Sequence, residues 1–382
     1  MRIFIIAGEP SGDRLGGALM AGLRTLAPES VFDGVGGESM AAEGLVSRFP
    51  MSELSVMGLA EVLPRLSLLR RRIVETAEAI ANTLPDLVIT IDSPDFCLRV
   101  LKHVRTQRRD LPVVHYVAPS VWAWRSKRAA RMAPLVDHVL ALLPFEPPYM
   151  EAAGMSCDFV GHPVVAEPRA SEAEITDLRA RFPGRLLLAL PGSRKGEISR
   201  HAPRFGAALA QVLTEDMQVL VPTVGTQAAF MRSEVAHWPF AAHVLEGAGE
   251  KRAAFGAAEL ALAASGTVSL ELAANATPMV IAYDVNPITR FLAERLIKLD
   301  TVTLVNLVSE SRAVPEYLGR NCTPEKIAEA LRMLMENPQA QKAQLAAMQL
   351  TMERLGQGGD APGQRAAASV LNFMQMRTTQ TG

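Results

Sequence analysis

The feature that most restricts the fold is a recurrence of short, mostly apolar runs, each followed by a small or turn-forming residue and then by a stretch with helical spacing. Ile3–Ala7, Val31–Val35, Leu87–Ile91, Val113–Val117 and Val139–Leu143 form one series. Leu186–Leu190, Val219–Pro222, Leu260–Ala264 and Met279–Ala282 form a second. Runs this short and this apolar suit strands covered on both faces, and their alternation with helices makes the sheets parallel and doubly wound. A sandwich or a helix bundle does not fit. The breaker-rich interval from Gly161-His162-Pro163 to Glu167-Pro168-Arg169 separates the two series. The expected fold is therefore α/β, with two Rossmann-like domains, 1–165 and 166–382, whose sheets turn their carboxyl ends to a common cleft. Thr323-Pro324-Glu325 opens a set of terminal helices, assigned to the second domain.

Composition narrows the class. The 382 residues exceed one typical domain, and 49% hydrophobic with 21% charged residues excludes a mainly disordered chain. Cys97, Cys157 and Cys322 are odd in number and far apart, which suggests neither a disulfide framework nor a zinc site and fits a reducing cytosol. The apolar run after Arg2 is too short for a signal peptide, and the most apolar region, 260–283, is broken by Ser265, Gly266, Glu271, Asn275 and Pro278. No membrane span is expected.

The net charge of −1 conceals an asymmetry: from Arg65 to Arg131 there are 13 Lys+Arg against 6 Asp+Glu. Such a stretch suits solvated helix faces, a phosphorylated substrate, an anionic membrane or nucleic acid. The aromatic content of 5% argues against a base-stacking platform. Leu59, Val62, Leu63, Leu66, Leu69 and Ile73 recur at helical spacing among Arg65, Arg70, Arg71 and Arg72. This is either an amphipathic helix packed on its domain or one lying in a membrane interface.

Chemistry concentrates where strands end. After the first run, Gly8-Glu9-Pro10-Ser11-Gly12-Asp13 places a glycine-rich turn and three polar side chains at the start of a helix, whose free N–H groups can hold an anion. It is neither a dinucleotide fingerprint nor a P-loop. Asp92 closes the Leu87–Ile91 run, where partial desolvation can raise a carboxylate toward the range of a general base; capping the next helix is the alternative. Trp122, Trp124 and Arg125 stand beside Lys127, Arg128 and Arg131, a combination suited to a sugar ring, a base or a lipid headgroup. In the second half, Gly192, Ser193 and Arg194 offer amides, a hydroxyl and a guanidinium to a diphosphate. Ser265, Gly266 and Thr267 form a second such turn, and Glu271 just beyond can accept both hydroxyls of a ribose. These features together describe a nucleoside diphosphate site.

The ordered series Gly8-Glu9-Pro10-Ser11-Gly12-Asp13, Val56-Met57-Gly58, Ile91 to Phe96, His115 to Arg125, Leu143-Pro144-Phe145-Glu146, Gly161-His162-Pro163, Leu190 to Arg194 and Ser265-Gly266-Thr267 resembles the lipid-A-disaccharide synthase family, from about Ile3 to Leu318. The resemblance implies a GT-B glycosyltransferase that inverts the sugar. It would transfer 2,3-diacylglucosamine from its UDP derivative to the 6-hydroxyl of 2,3-diacylglucosamine 1-phosphate and release UDP. It implies Asp92 as general base with Glu9 nearby, activity roles for Arg194 and Asn306, and Ser193, Ser265, Gly266, Thr267 and Glu271 on the nucleotide side. Neither metal nor other cofactor is expected. A peripheral position on the inner face of the inner membrane would bring the protein to its acylated substrates. Cys97, and Val305-Asn306-Leu307-Val308 where the family often has Pro-Asn-Leu-Leu, depart from the pattern. Other GT-B activities, such as a UDP-sugar 2-epimerase, and a silent nucleotide-sugar binding module are the competing readings.

Overall fold

The computed structural model describes residues 1–54, 59–121, 127–285 and 300–381. Two compact units result: Met1–Ala166 together with Gly358–Gly382, and Glu167–Gln357. Each is built on one parallel six-stranded sheet.

In the first unit the strands are β1 (Arg2–Ala7), β2 (Val31–Val35), β3 (Leu87–Ile91), β4 (Val113–Tyr116), β5 (His138–Ala141) and β6 (Ser156–Phe159), in the spatial order β2-β1-β3-β4-β5-β6. Alternation along β1 sends Phe4 and Ile6 to one apolar layer and Ile3 and Ile5 to the other, so both faces are covered. Helix α1 (Pro10–Leu26) contributes Leu15 and Leu19 to the second layer. Helices α3 (Leu59–Thr83) and α4 (Pro94–Gln107) contribute Ile73, Ile80, Phe96 and Val100 to the first. A short α2 (Glu38–Ala42) follows β2.

The second unit runs β7 (Arg185–Leu190), β8 (Met217–Thr223), β9 (Ala242–Glu246), β10 (Leu260–Ala263), β11 (Met279–Tyr283) and β12 (Glu316–Leu318), ordered β12-β11-β10-β7-β8-β9. The nine strands expected from the sequence are all present. Those missed, β6, β9 and β12, are edge strands with half-exposed, mixed-polarity side chains, so they lack the apolar run that marks a central strand.

The terminal helix Pro362–Thr381 belongs to the first unit, not to the second as the sequence reading had it. Its partner is α1, and small residues set the separation. A Cβ on Gly22 would lie 2.6 Å from the Gly363 carbonyl oxygen, and one on Gly363 would lie 2.4 Å from that of Ala18. Ala366, Ala367, Val370 and Phe373 complete the layer begun by Ile3 and Leu19. The helix is also tied to β5 and β6: Ser369 donates to Asp158 at 2.6 Å and meets His138 at 2.9 Å, whose ring stacks on Phe373. Because backbone rather than a movable side chain opposes any added atom, Gly363→Val should destabilise the protein by about 2–3 kcal/mol. Urea unfolding of that variant beside the parent measures the loss.

Candidate active site

The order of the first sheet reverses between β1 and β3. The chain leaves β1 for β2 through α1 on one face and leaves β3 for β4 through α4 on the other, which opens a crevice at the carboxyl ends of those two strands. Since Ala7 pairs with Ile91, the segments entering that crevice are Gly8-Glu9 and Asp92-Ser93. They touch: a Cβ on Gly8 would lie 2.6 Å from Ser93 Oγ. Gly12, one turn into α1, faces Ile91 at packing distance and brings helix against strand.

Asp92 and Ser93 both occupy the left-handed region, with φ of 50° and 42°. The Asp92 N–H donates to the Tyr116 carbonyl at 2.9 Å. Ser93 is the N-cap of α4 but makes no side-chain cap bond, and Pro94 begins the helix. Burial raises the Asp92 carboxyl above its ordinary value, partly opposed by a hydrogen bond from the Ser93 backbone. Glu9, in extended conformation at the N-cap of α1, is half-buried, and Ser11 beside it is exposed.

Asp13 is engaged by backbone groups. Its buried carboxylate accepts the N–H groups of Gly37 at 2.7 Å, Ser39 at 2.8 Å and Met40 at 3.1 Å, capping α2 from a distance in sequence. Trp122, Trp124 and Arg125, and the Val56-Met57-Gly58 segment, lie outside the described residues. Arg72 is not free for an anionic surface. It is held between Glu53 and Glu75, at 2.7 Å from each, and over the Phe49 ring, while Arg70 and Arg71 are exposed.

In the second unit the reversal falls between β7 and β10, and the two turns that follow these strands meet there. Gly192, Ser193, Arg194, Ser265, Gly266, Thr267 and Glu271 line one cavity of about 390 Å³. Gly192 has φ of 131° and abuts Glu197, which turns back to accept from the Ser193 N–H at 3.1 Å and from Arg194 Nη1 at 3.3 Å. Tyr283 donates to the same carboxylate at 3.4 Å. The preceding Pro191 carbonyl is held by His201 Nδ1 at 2.8 Å, and the Asp284 N–H reaches His201 Nε2 at 3.0 Å. Nε2 also lies 3.1 Å from the Asp284 carbonyl, and burial lowers the His201 pKa. Gly266, at φ of 150°, has open space above it, so backbone conformation rather than packing calls for glycine there.

Two cavity residues were missed. Lys251, on the helix Ala248–Ala257, ion-pairs with Glu271, and Thr223 enters from the end of β8. Both lie at glycine-bearing turns where strands end, Thr223-Val224-Gly225 at the close of β8 and Gly247-Ala248-Gly249 before Lys251 after β9, but β9 is an edge strand without an apolar run, so its turn was not marked. Asn306 does not line this cavity. It is fully buried, donating to the Val314 carbonyl at 2.8 Å and to Thr301 Oγ1 at 3.3 Å and accepting from the Val314 N–H at 3.0 Å. These bonds close the 301–314 segment. Among the described residues no cluster of three His, Cys, Asp or Glu side chains could hold a metal ion.

The family model for lipid-A-disaccharide synthetase matches residues 3–369. A lipid-A-disaccharide synthase of Ruegeria pomeroyi is 61% identical over 97% of this chain and 95% of its own length. The chain belongs to the lipid-A-disaccharide synthase family. A second family member, from Rhodospirillum centenum, is 47% identical over 98% of this chain and 95% of its own. Among solved structures, UDP-GlcNAc 2-epimerase from Neisseria meningitidis bound to UDP-GlcNAc superposes with a TM-score of 0.66 at 11% identity, covering 98% of this chain and 100% of that one. The calicheamicin glycosyltransferase CalG4 superposes with a TM-score of 0.56 at 16% identity, covering 98% of each chain. These two likenesses carry the fold, the GT-B architecture of paired α/β units.

Removing the Asp13 carboxylate leaves three backbone N–H groups without their acceptor. Asp13→Ala should therefore cost about 3 kcal/mol of stability while leaving nucleotide affinity within about twofold. Denaturant unfolding paired with calorimetric titration of UDP checks both halves.

Proposed function

We propose that this family member joins UDP-2,3-diacylglucosamine to 2,3-diacylglucosamine 1-phosphate, giving the β-1,6 disaccharide 1-phosphate and UDP, with Asp92 as general base. The observation that carries the assignment is the place of Asp92: a partly buried carboxylate of raised pKa, fixed in a left-handed turn at the β1/β3 reversal. In the proposed step the acceptor 6-hydroxyl oxygen attacks the anomeric carbon as its proton passes to Asp92. The bond from that carbon to the UDP oxygen breaks with inversion, and UDP carries away the electron pair. Arg194, paired with Glu197 and with 62% of its side chain exposed, is assigned to stabilise the diphosphate as negative charge develops there. The Gly-Ser-Arg and Ser-Gly-Thr turns supply a polar frame for the nucleotide, in a cavity of ordinary ligand size. Glu9, leaving the strand beside that of Asp92, is assigned to orient the acceptor.

The acyl chains of both substrates resist transfer through water, so the second part of the proposal places the protein peripherally on an anionic inner-membrane surface. No helix of the described residues is long and apolar enough to cross a membrane. Exposed Arg70 and Arg71 on α3 support a surface contact.

Asp92→Asn should reduce turnover by about 10²–10⁴-fold with UDP affinity retained. The same variant should be no less stable than the parent at pH 7. A carboxyl whose folded pKa lies above its unfolded value favours the fold below the unfolded pKa and loses that contribution as pH rises through the folded one. Asparagine also tolerates a φ of 50°. In the parent, kcat/KM should fall on the acid side at a pH above the ordinary aspartate value of about 3.9. Assay in mixed micelles with mass spectrometry of disaccharide and UDP reads the first point; near-normal turnover would move the base to Glu9. For the membrane contact, Arg70→Ser with Arg71→Ser should lower cosedimentation with phosphatidylglycerol vesicles, and unchanged binding would remove these arginines from the proposal.

A further inference from the structure

Glu271 has one ionic partner among the described residues, Lys251, and both line the nucleotide cavity. The pair joins two helices, Ala248–Ala257 and Val268–Ala274, that enter the cavity from different strands. Its side chains are 42% and 26% exposed, and ion pairs this open to water contribute little to folding. What such a pair does supply is orientation. A free glutamate samples several rotamers, and a carboxylate that must meet two neighbouring hydroxyls at once loses that freedom on binding. Lys251 is itself confined, with its ammonium 5.3 Å from the centre of the Phe255 ring, and Phe255 is only 2% exposed. An immobile ring thus steadies the lysine, and the lysine steadies the carboxylate.

We propose that Lys251 is a positioning residue that presets the Glu271 carboxylate to accept the vicinal hydroxyls of a ribose, so that it sets preference for ribonucleoside over deoxyribonucleoside diphosphates. The inference rests on the nucleotide reading of this cavity. It differs from a direct role for the Lys251 charge, which would act on the diphosphate and be blind to the sugar.

Titration calorimetry of UDP and 2′-deoxy-UDP against the full chain separates the cases. The parent should prefer UDP. Lys251→Met should weaken UDP by about tenfold, the order of one charge-assisted hydrogen bond, and weaken 2′-deoxy-UDP, which keeps only the 3′-hydroxyl, by clearly less, so that the preference narrows. Glu271→Gln should narrow the preference in the same way, and Lys251→Arg should keep it. Equal weakening of both ligands by Lys251→Met, or an unchanged ratio, overturns the inference while the nucleotide reading stands. A parent that binds neither ligand overturns that reading and the inference with it. Unaltered thermal midpoints confirm that the variants are folded.

Discussion

Parallel pairing of β1 with β3, and of β7 with β10, is the constraint on which the rest depends. In each sheet the strands on either side of that pair send their helices to opposite faces, so the carboxyl ends are left uncovered there and nowhere else by necessity. Candidate site segments of both units gather at these gaps. Gly8-Glu9 stands against Asp92-Ser93 in one, and Gly192-Ser193-Arg194 against Ser265-Gly266-Thr267 in the other.

Central strands were legible because burial on both faces leaves an apolar run that little else produces. Edge strands such as Ser156–Phe159 were not, since a half-exposed edge accepts polar residues and erases the pattern. The site was legible to the same depth. Turn residues that must follow a strand, such as Gly192 and Gly266, announce themselves through backbone conformation. Partners supplied from other elements do not. The sequence could not tell that Asp13 would be consumed by the amides of Gly37, Ser39 and Met40, that Asn306 would close its own loop, or that Arg72 would be sequestered by Glu53 and Glu75. All three are polar residues in suggestive surroundings, and only three-dimensional placement shows their hydrogen-bonding capacity already spent. Lys251 is the converse, an unremarked helix residue made relevant by what it faces.

The first crevice also holds a concentration of backbone strain. Asp92, Ser93 and Val117 have φ of 50°, 42° and 84°, and for a β-branched valine such a value is a clear outlier. Each costs on the order of 1–3 kcal/mol. They persist because the flanking strands over-determine them: the Asp92 N–H is bound to Tyr116, and the Val117 N–H to Leu140, both at the sheet's carboxyl edge. Val117 therefore drops out of β4 one residue earlier than its apolar character suggests.

The return of Pro362–Thr381 to α1 makes the first unit discontinuous, with the whole of Glu167–Gln357 interposed in the chain. During vectorial synthesis the outer side of α1, including Ala18 and Gly22, has no partner until the last helix has emerged. The second unit can thus fold while the first is still missing a layer, and that layer closes only when residues far along the chain have been made.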